Sequence, residues 1–194
     1  MSTSRAAHTN MGKPAVFLDR DGVINKCVVL RGIPHPPATV DEFELSEGVT
    51  EAVERVRQAG YAVVVVTNQP DVARGVQEQA VVEAMHDVVR GALAPDAIMV
   101  CYHDDADGCW CRKPAPGLLH QAARDLELDL TRSFMVGDRW RDIEAGRRAG
   151  CRTVYVESGY AERRPEEPDA VVTDLPEAVA WILATTTQKE PEIA

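Results

Sequence analysis

Short runs of apolar, mostly β-branched residues alternate along this chain with longer amphipathic segments. One run, YAVVVV at 61–66, is apolar on both faces, which is typical of a central strand in a parallel sheet. The segments between the runs repeat apolar residues every three or four positions, as in a helix packed on one side. Strands that alternate with such helices form βαβ units. The sequence therefore predicts one α/β domain whose parallel sheet is covered by helices on both faces.

The predicted domain spans residues 14–186, between a disordered lead-in at 1–13 and a polar tail at 187–194. We expect strands at 15–18, 61–66, 97–100, 133–136, 152–156 and 170–172. We expect helices at 47–58, 77–93, 116–126, 140–149 and 176–184. Two irregular excursions interrupt the alternation, at 26–46 and 101–115. The first leaves room only for a loop and one helix, so no large cap domain is expected.

Acidic residues outnumber basic ones by 31 to 21, which gives a formal net charge of −10. Proteins that bind nucleic acid or anionic membranes generally present a basic surface, so neither partner is expected. No apolar run approaches the roughly 20 residues of a membrane span, and the first residues lack the apolar core of a signal peptide. We therefore expect a cytoplasmic protein that acts on a small molecule. With no large apolar surface stripe in the pattern, we expect a monomer.

Polar residues directly follow three of the predicted strands. Asp19 follows the first strand, Thr67 the second, and Asp138 comes one glycine beyond the fourth. The carboxyl ends of parallel strands meet at one edge, where open α/β sheets bind ligands. Asp and Thr also cap the helix that follows a strand, but three independent strand ends make capping alone an insufficient explanation. The pattern favours a shared site.

This residue set permits phosphoryl transfer. The Asp19 carboxylate can attack phosphorus, and Asp21, two residues on, is placed for proton transfer to the leaving oxygen. Asp19 and Asp138 offer the hard oxygen ligands that Mg²⁺ prefers. Without a cation, these carboxylates would repel a phosphate dianion, so the electrostatics call for Mg²⁺. Donors to the phosphoryl oxygens would come from Thr67, Asn68 and Lys113.

A second cluster lies in the excursion at 101–115. The segment CYHDDADGCWC places three cysteines and one histidine within residues 101–111, at Cys101, His103, Cys109 and Cys111. Three thiolates and an imidazole form a complete tetrahedral set for structural Zn²⁺, with no open position for a catalytic water. An iron–sulfur centre is less favoured with a histidine in this arrangement. The alternative is a polar loop that binds no metal and whose histidine is exposed to solvent. We predict that a structural zinc ion fixes the conformation of this loop and thereby positions the residues that follow it.

Four segments resemble, in order, the four motifs of the haloacid-dehalogenase (HAD) phosphatases. They are FLDRDGVIN at 17–25, VVVTNQ at 64–69, Lys113, and GDRWRD at 137–142. The resemblance covers about residues 14–158 and implies a Rossmann-like core, Mg²⁺ and an aspartyl-phosphate intermediate at Asp19. It also implies that Asp21 is the acid/base and gives its backbone carbonyl to Mg²⁺, and that Asp142 steadies the lysine.

The zinc loop followed by CRKP narrows the resemblance. It is similar to the D-glycero-D-manno-heptose-1,7-bisphosphate 7-phosphatases and to the related histidinol-phosphatase domains. The segment ARG at 73–75 resembles the heptose branch, whereas the short zinc spacing resembles the histidinol branch. The resemblance implies that the substrate is contacted by Arg20, Asn68, Gln69, Arg112, Lys113 and Arg139. Pro70 and Asp71 depart from the family pattern, as does the proline-rich segment at 26–43, so substrate contacts there do not carry over.

Three functions follow as hypotheses. The first is removal of the C7 phosphate of a heptose 1,7-bisphosphate, a small phosphorylated sugar, in nucleotide-activated heptose biosynthesis. The second is the same chemistry on histidinol phosphate. The third, from another class, is a binding module built on the zinc loop, against which the complete catalytic set counts.

Overall fold

The fold is built on a six-stranded, fully parallel sheet in the order β5-β4-β1-β6-β7-β8, with a separate antiparallel hairpin of β2 and β3. The structure is a computed structural model that describes residues 12–187. In chain order the strands are β1 (Ala15–Leu18), β2 (Val28–Leu30), β3 (Ile33–His35), β4 (Ala62–Asn68), β5 (Ala97–Cys101), β6 (Phe134–Gly137), β7 (Arg152–Val156) and β8 (Ala170–Val172). The predicted α/β class and parallel sheet are confirmed.

Helices cover both faces of this sheet. They are α1 (Val49–Gln58), α2 (Pro70–Ala73), α3 (Gln79–Leu93), α4 (Gly117–Asp125), α5 (Trp140–Ala149) and α6 (Leu175–Thr187). Alternate residues of β1 serve opposite cores: Val16 and Leu18 pack with α1, α3 and α6, while Ala15 and Phe17 pack with α4 and α5. This two-sided burial explains why the strand sequences are apolar without alternation.

The two excursions hold more structure than their sequences indicate. Residues 26–46 were expected to be irregular, but they contain the hairpin β2–β3 and a 3₁₀ turn at Val40–Glu42. The hairpin side chains are largely exposed, so a core-facing apolar pattern could not reveal it. Residues 101–115 contain a 3₁₀ turn at Asp105–Asp107. Between β1 and β4 lie only this hairpin, the first 3₁₀ turn and α1, which confirms that no large cap is inserted.

The ends of the predicted domain differ slightly from expectation. Lys13, placed in the lead-in, exchanges backbone hydrogen bonds with Glu127 and Asp129. Residues 1–11 and 188–194 lie outside the described residues, and so does most of the predicted tail. Within residues 12–187, no helix has both the length and the apolar character that crossing a membrane requires.

Candidate active site

Three neighbouring strands bring polar side chains to one edge of the sheet. β1 leads directly to Asp19, whose backbone N–H donates to the Val136 carbonyl of β6 at 3.0 Å. Thr67 lies near the end of β4 and Asp138 follows β6, and all three polar side chains are buried. The strand order reverses between β1 and β6, so this edge is the crevice where open α/β sheets bind ligands.

A buried lysine joins two carboxylates at this edge. Lys113 Nζ lies 2.6 Å from Asp19 Oδ1 and 2.6 Å from Asp142 Oδ1, and it donates to the Val66 carbonyl at 2.8 Å. Asp142 stands in the first turn of α5, where its other oxygen accepts the Arg139 backbone N–H at 3.0 Å. The lysine is therefore fixed in place by the sheet and by α5 together.

Two glycines allow this close approach of carboxylates to backbone. Gly22 has a φ of +92°, and a Cβ at that position would lie 1.8 Å from Asp138 Oδ2. A Cβ on Gly137 would lie 2.1 Å from the Asp142 Cβ. Any side chain at either position would displace a carboxylate of the site. The glycines in the segments DRDG and GD are thus steric requirements of the cluster.

The carboxylates are crowded enough to disfavour their charged forms. Burial raises the pKa of Asp19 to about 7, and the neighbouring Asp142 adds to this rise while Lys113 opposes it. Burial, followed by the charge of Asp19, also raises the pKa of Asp138 well above its usual range. Burial acts to lower the pKa of Lys113, but the two carboxylates beside it raise that pKa overall. The buried carboxylates therefore carry more negative charge than Lys113 alone can neutralise.

The residues present fit a magnesium ion. Carboxylate oxygens of Asp19, Asp138 and Asp142 lie within 4.8 Å of one another. Both oxygens of Asp138 are buried, and no donor meets them with good hydrogen-bond geometry, although the Tyr160 hydroxyl interacts with the carboxylate. A hard cation would relieve the cost of this burial. Lys113 and the Arg139 backbone N–H engage both oxygens of Asp142, whereas Lys113 engages only one oxygen of Asp19. This difference favours Asp19 and Asp138, the two side-chain ligands that the sequence leads us to expect. The expected third ligand, the backbone carbonyl of Asp21, stays a prediction.

Asp21 lines the cleft next to this cluster and is held by three side chains. Its carboxylate accepts hydrogen bonds from Asn25 Nδ2 at 3.0 Å, from Gln69 Nε2 at 2.7 Å and from an Arg20 guanidinium nitrogen at 2.8 Å. Gln69 also donates to Thr67 Oγ1 at 2.8 Å. These contacts orient the carboxylate that the sequence assigns to proton transfer.

Two of the expected substrate contacts lie behind this carboxylate and not in the cleft. Arg20 has no exposed surface, and Gln69 is also buried. Each directs its donors at Asp21, so the structure differs from the expectation that they touch substrate. A fully buried guanidinium needs a carboxylate partner, and the residue two positions after Asp19 is the nearest one. By contrast, Asn68 lines the cleft and exchanges two hydrogen bonds with the backbone of Lys113.

Four arginines surround the open side of the cleft, whose volume is about 330 Å³. They are Arg74, Arg112, Arg139 and Arg141. Each pairs with an acidic residue: Arg74 with Asp71 and Asp104, Arg112 and Arg141 with Asp105, and Arg139 with Glu162. Arg112 and Arg139 were predicted substrate contacts, whereas Arg74 and Arg141 were missed. Both missed arginines lie inside segments already singled out, ARG at 73–75 and GDRWRD at 137–142, but loop geometry decides where such side chains point.

The zinc cluster forms as a compact tetrahedron of ligand atoms. The three sulfurs of Cys101, Cys109 and Cys111 lie 3.2 to 3.6 Å apart. His103 Nδ1 lies 3.6 and 3.3 Å from the sulfurs of Cys101 and Cys111. A zinc–sulfur bond of about 2.3 Å gives tetrahedral edges of roughly 3.8 Å, close to these distances. The four residues are a complete ligand set for zinc, directly before Arg112 and Lys113.

Comparisons with known proteins place this geometry in a family. A family model described as HAD-hydrolase-like matches residues 110–178. The D-glycero-beta-D-manno-heptose-1,7-bisphosphate 7-phosphatase of Photorhabdus laumondii is 38% identical in an alignment of 189 positions that covers 88% of this chain and 97% of that protein. A D-glycero-D-manno-heptose-1,7-bisphosphate 7-phosphatase of Thermosynechococcus vestitus is 37% identical, over 89% and 96% of the two chains. This chain belongs to the HAD-like phosphatase family of these enzymes.

A solved structure supports the assignment. The D,D-heptose 1,7-bisphosphate phosphatase of Bordetella bronchiseptica, complexed with magnesium and phosphate, matches with a TM-score of 0.77 and 35% identity. The match covers 89% of this HAD-like phosphatase and 99% of the solved chain. The resemblance stated from the motifs is therefore confirmed, and with it the enzyme class of phosphoric monoester hydrolase.

Proposed function

We propose that this phosphatase removes the C7 phosphate of D-glycero-D-manno-heptose 1,7-bisphosphate. The observation that carries the proposal is the distribution of charge in the cleft. The reacting edge holds Asp19, Lys113 and Asp138, and the rest of the cleft lining carries four arginines, whose acidic partners there are Asp71 and Asp105. One phosphate of a bisphosphate would bind at the inner cluster while the arginines bind the other. The names of the relatives support the same substrate.

The reaction follows from the positions of the side chains. Asp19 attacks the phosphorus, and the bond from phosphorus to the sugar oxygen breaks as Asp21 gives that oxygen a proton. The aspartyl phosphate on Asp19 is then attacked by a water, whose proton goes to Asp21, and inorganic phosphate leaves. Lys113, Thr67 and Asn68 donate hydrogen bonds to the phosphoryl oxygens as charge develops on them. Magnesium, bound by Asp19 and Asp138, would offset the charge of the phosphate dianion.

The arginines of the cleft favour the heptose bisphosphate over histidinol phosphate, the alternative substrate. Histidinol phosphate carries a single phosphate, and its remaining groups are an amine and an imidazole. Arg112 and Arg139, on turning from Asp105 and Glu162, would offer two forks of donors to a second phosphate, which histidinol phosphate lacks. A binding module without catalysis would have no use for a buried lysine between two carboxylates.

Phosphate release with Mg²⁺ tests the proposal. The substrates are both anomers of the heptose 1,7-bisphosphate and histidinol phosphate, with the Asp19→Asn variant as the blank. We expect kcat/KM for one heptose anomer to exceed that for histidinol phosphate at least about a hundredfold, which is about 2.7 kcal/mol of transition-state binding. ³¹P spectra of the product should show the C1 phosphate retained. Preference for histidinol phosphate, or loss of the C1 phosphate, would overturn the substrate assignment.

We further infer that residues 14–186 form one catalytic domain, which acts as a cytoplasmic monomer without nucleic-acid or membrane partners. β1 and α6 share one core, which supports a single domain. The net charge of −10 disfavours polyanionic partners. The free thiols of Cys27 and Cys151 suit a reducing compartment. Light scattering at micromolar concentration tests the monomer, and a stable dimer mass would contradict it.

A further inference from the structure

Arg20 is the most deeply buried charged side chain next to the site, and the reaction described above gives it no role. Its guanidinium has no exposed surface and lies directly behind Asp21. Nε donates to Asp21 Oδ1 at 3.1 Å, and one terminal nitrogen lies 2.8 Å from each of the two carboxylate oxygens. The other terminal nitrogen points away from the cleft, towards His86 Nε2 at 3.1 Å. The guanidinium therefore links Asp21 to a residue in the core.

His86 is a fixed acceptor for this guanidinium. Burial, and then the charge of Arg20, lowers the pKa of His86 to about 4, so the ring is neutral. A guanidinium has only donors, which requires His86 Nε2 to accept and places the ring hydrogen on Nδ1. That Nδ1 faces Glu83 Oε2 at 3.5 Å. The Phe43 ring lies under the guanidinium, 5.8 Å from ring centroid to Cζ. His86 therefore fixes the Arg20 guanidinium on the side away from Asp21, and Phe43 packs against its flat face.

Stability alone gives little reason for this arrangement. A buried ion pair contributes little net stability compared with apolar residues of similar size, and α3 could supply an apolar side chain in place of His86. The Asp21 side chain is 15% exposed and lines the cleft, whereas Arg20 has no contact with solvent. Asp21 therefore exposes part of its carboxylate to the cleft, while the buried Arg20 restrains the orientation of that carboxylate.

We propose that Arg20, supported by His86, is the positioning residue that aims Asp21 at the leaving-group oxygen. The proposal rests on the role given to Asp21 in the proposed function. Of the side chains that hold Asp21, Asn25 and Gln69 are neutral amides that donate one hydrogen bond each, whereas the Arg20 cation makes three contacts with both carboxylate oxygens and adds an ion pair. A leaving group in the cleft therefore displaces an amide contact, while the guanidinium keeps the carboxylate in place.

The test compares two leaving groups and does not depend on the sugar. Phenolate is a poor leaving group that needs a proton, and 4-nitrophenolate leaves without one. Departure of the leaving group is included in kcat/KM for both phosphates. For Arg20→Lys we expect kcat/KM for phenyl phosphate to fall about tenfold or more, and that for 4-nitrophenyl phosphate to fall less than about threefold. The matched control is Arg124→Lys on the exposed surface of α4, which should change neither value.

Three further variants separate positioning from a general structural effect. In an Asp21→Asn background, Arg20→Lys should cause no additional loss with phenyl phosphate, because both changes remove the same interaction. His86→Leu, which removes the acceptor, should repeat the split between the two substrates, and His86→Gln, which keeps an acceptor, should restore the wild-type ratio. The His86 pair also provides the test if Arg20→Lys fails to fold.

Each outcome is decisive. A parallel loss with both substrates, full additivity with Asp21→Asn, or unchanged kinetics in Arg20→Lys would overturn the positioning role. A wild-type enzyme that hydrolyses the aryl phosphates but not the heptose bisphosphate overturns only the sugar assignment. A wild-type enzyme that hydrolyses neither overturns the proposed function, and this proposal falls with it.

Discussion

Residues 12–187 contain two clusters of potential metal ligands, built in opposite ways. The four zinc ligands lie within residues 101–111, on the last residue of β5 and the loop that follows it. The carboxylate cluster brings Asp19 together with Asp138 and Asp142, which lie more than a hundred residues further along the chain. The first cluster needs its metal to define its shape, because a short polar loop has little core of its own. The second is shaped by the sheet and is ready for its cation beforehand.

The two clusters meet at Lys113. The zinc loop ends at Cys111, and two residues later the lysine enters the carboxylate cluster. Asn68 at the end of β4 ties the lysine backbone to the sheet from the other side. The zinc loop thus positions Lys113, and the sheet edge supplies the carboxylates that take part in the reaction. Four predictions test this division of roles.

The largest effect is expected at the sheet edge. Asp19→Asn removes the attacking oxygen while keeping the shape of the side chain, so turnover should fall by at least about 10⁴-fold. The zinc content should remain one per chain, since the loop is built independently. Steady-state kinetics and metal analysis measure the two effects. Loss of zinc in this variant would contradict the separation of the clusters.

A zinc ligand should affect both stability and activity. Cys111→Ala breaks the tetrahedral set, so the chain should lose its zinc, unfold at a lower temperature, and show kcat/KM at least about tenfold lower as Lys113 shifts. Cys151→Ala, at a buried thiol outside the loop, is the matched control. It should keep zinc and activity. Retention of one zinc per chain by Cys111→Ala would rule out the proposed ligand set.

The outer arginines should discriminate between substrates. Arg112→Gln removes one cation from the cleft and breaks its ion pair with Asp105, without altering the carboxylates at the sheet edge. We therefore expect kcat/KM for the heptose bisphosphate to fall about 10- to 100-fold, or about 1.4–2.7 kcal/mol. With 4-nitrophenyl phosphate, which has no second phosphate, the loss should stay below about threefold. Arg124→Gln on the exposed side of α4 is the control. Equal losses with both substrates would mean that Arg112 acts on the common chemistry and not on the second phosphate.

The smallest effect concerns the coupling of Mg²⁺ and protons. The folded, metal-free protein keeps a proton on Asp19 up to a pKa of about 7, whereas the unfolded chain loses it near 3.8. The folded state binds more protons in that window, so the metal-free protein loses stability as pH rises from about 4 to 7. Mg²⁺ replaces the proton, and its stabilising effect should therefore be larger at pH 7.5 than at pH 5.5.

Melting curves with and without Mg²⁺ at the two pH values measure this coupling. At a free Mg²⁺ concentration of about 100 times Kd, mass action contributes about 2.7 kcal/mol, or roughly 5–10 °C for a domain of this size. Asp19→Asn should show a smaller difference between the two pH values, and the remainder comes from Asp138, whose pKa is also raised by burial. An equal Mg²⁺ effect at both pH values in the wild type would contradict the link between Asp19 and the cation.

The sequence predicts the parts of the molecule where one local rule dominates. Buried strands such as 152–156 and the helix 140–149 match the structure residue for residue, because both have one clear environment. The candidate metal ligands lie close together in the structure, as the sequence predicts, because strand ends and close cysteine spacing are local signals. The exposed hairpin at 28–35 carries no core-facing pattern and was expected to be irregular. Arg20 was read as a substrate contact because nothing in DRDG shows that its side chain turns inward to His86, 66 residues away.

The central claim is that Asp19 carries the phosphoryl group during turnover. The most direct test is to react the Asp21→Asn variant with ³²P-labelled 4-nitrophenyl phosphate, quench in acid and map the label by mass spectrometry. That leaving group departs without a proton donor, whereas hydrolysis of the intermediate needs the missing base, so the intermediate should accumulate. The account predicts a hydroxylamine-sensitive phosphate on Asp19. Label on another residue, or continued turnover with no labelled protein, would contradict it.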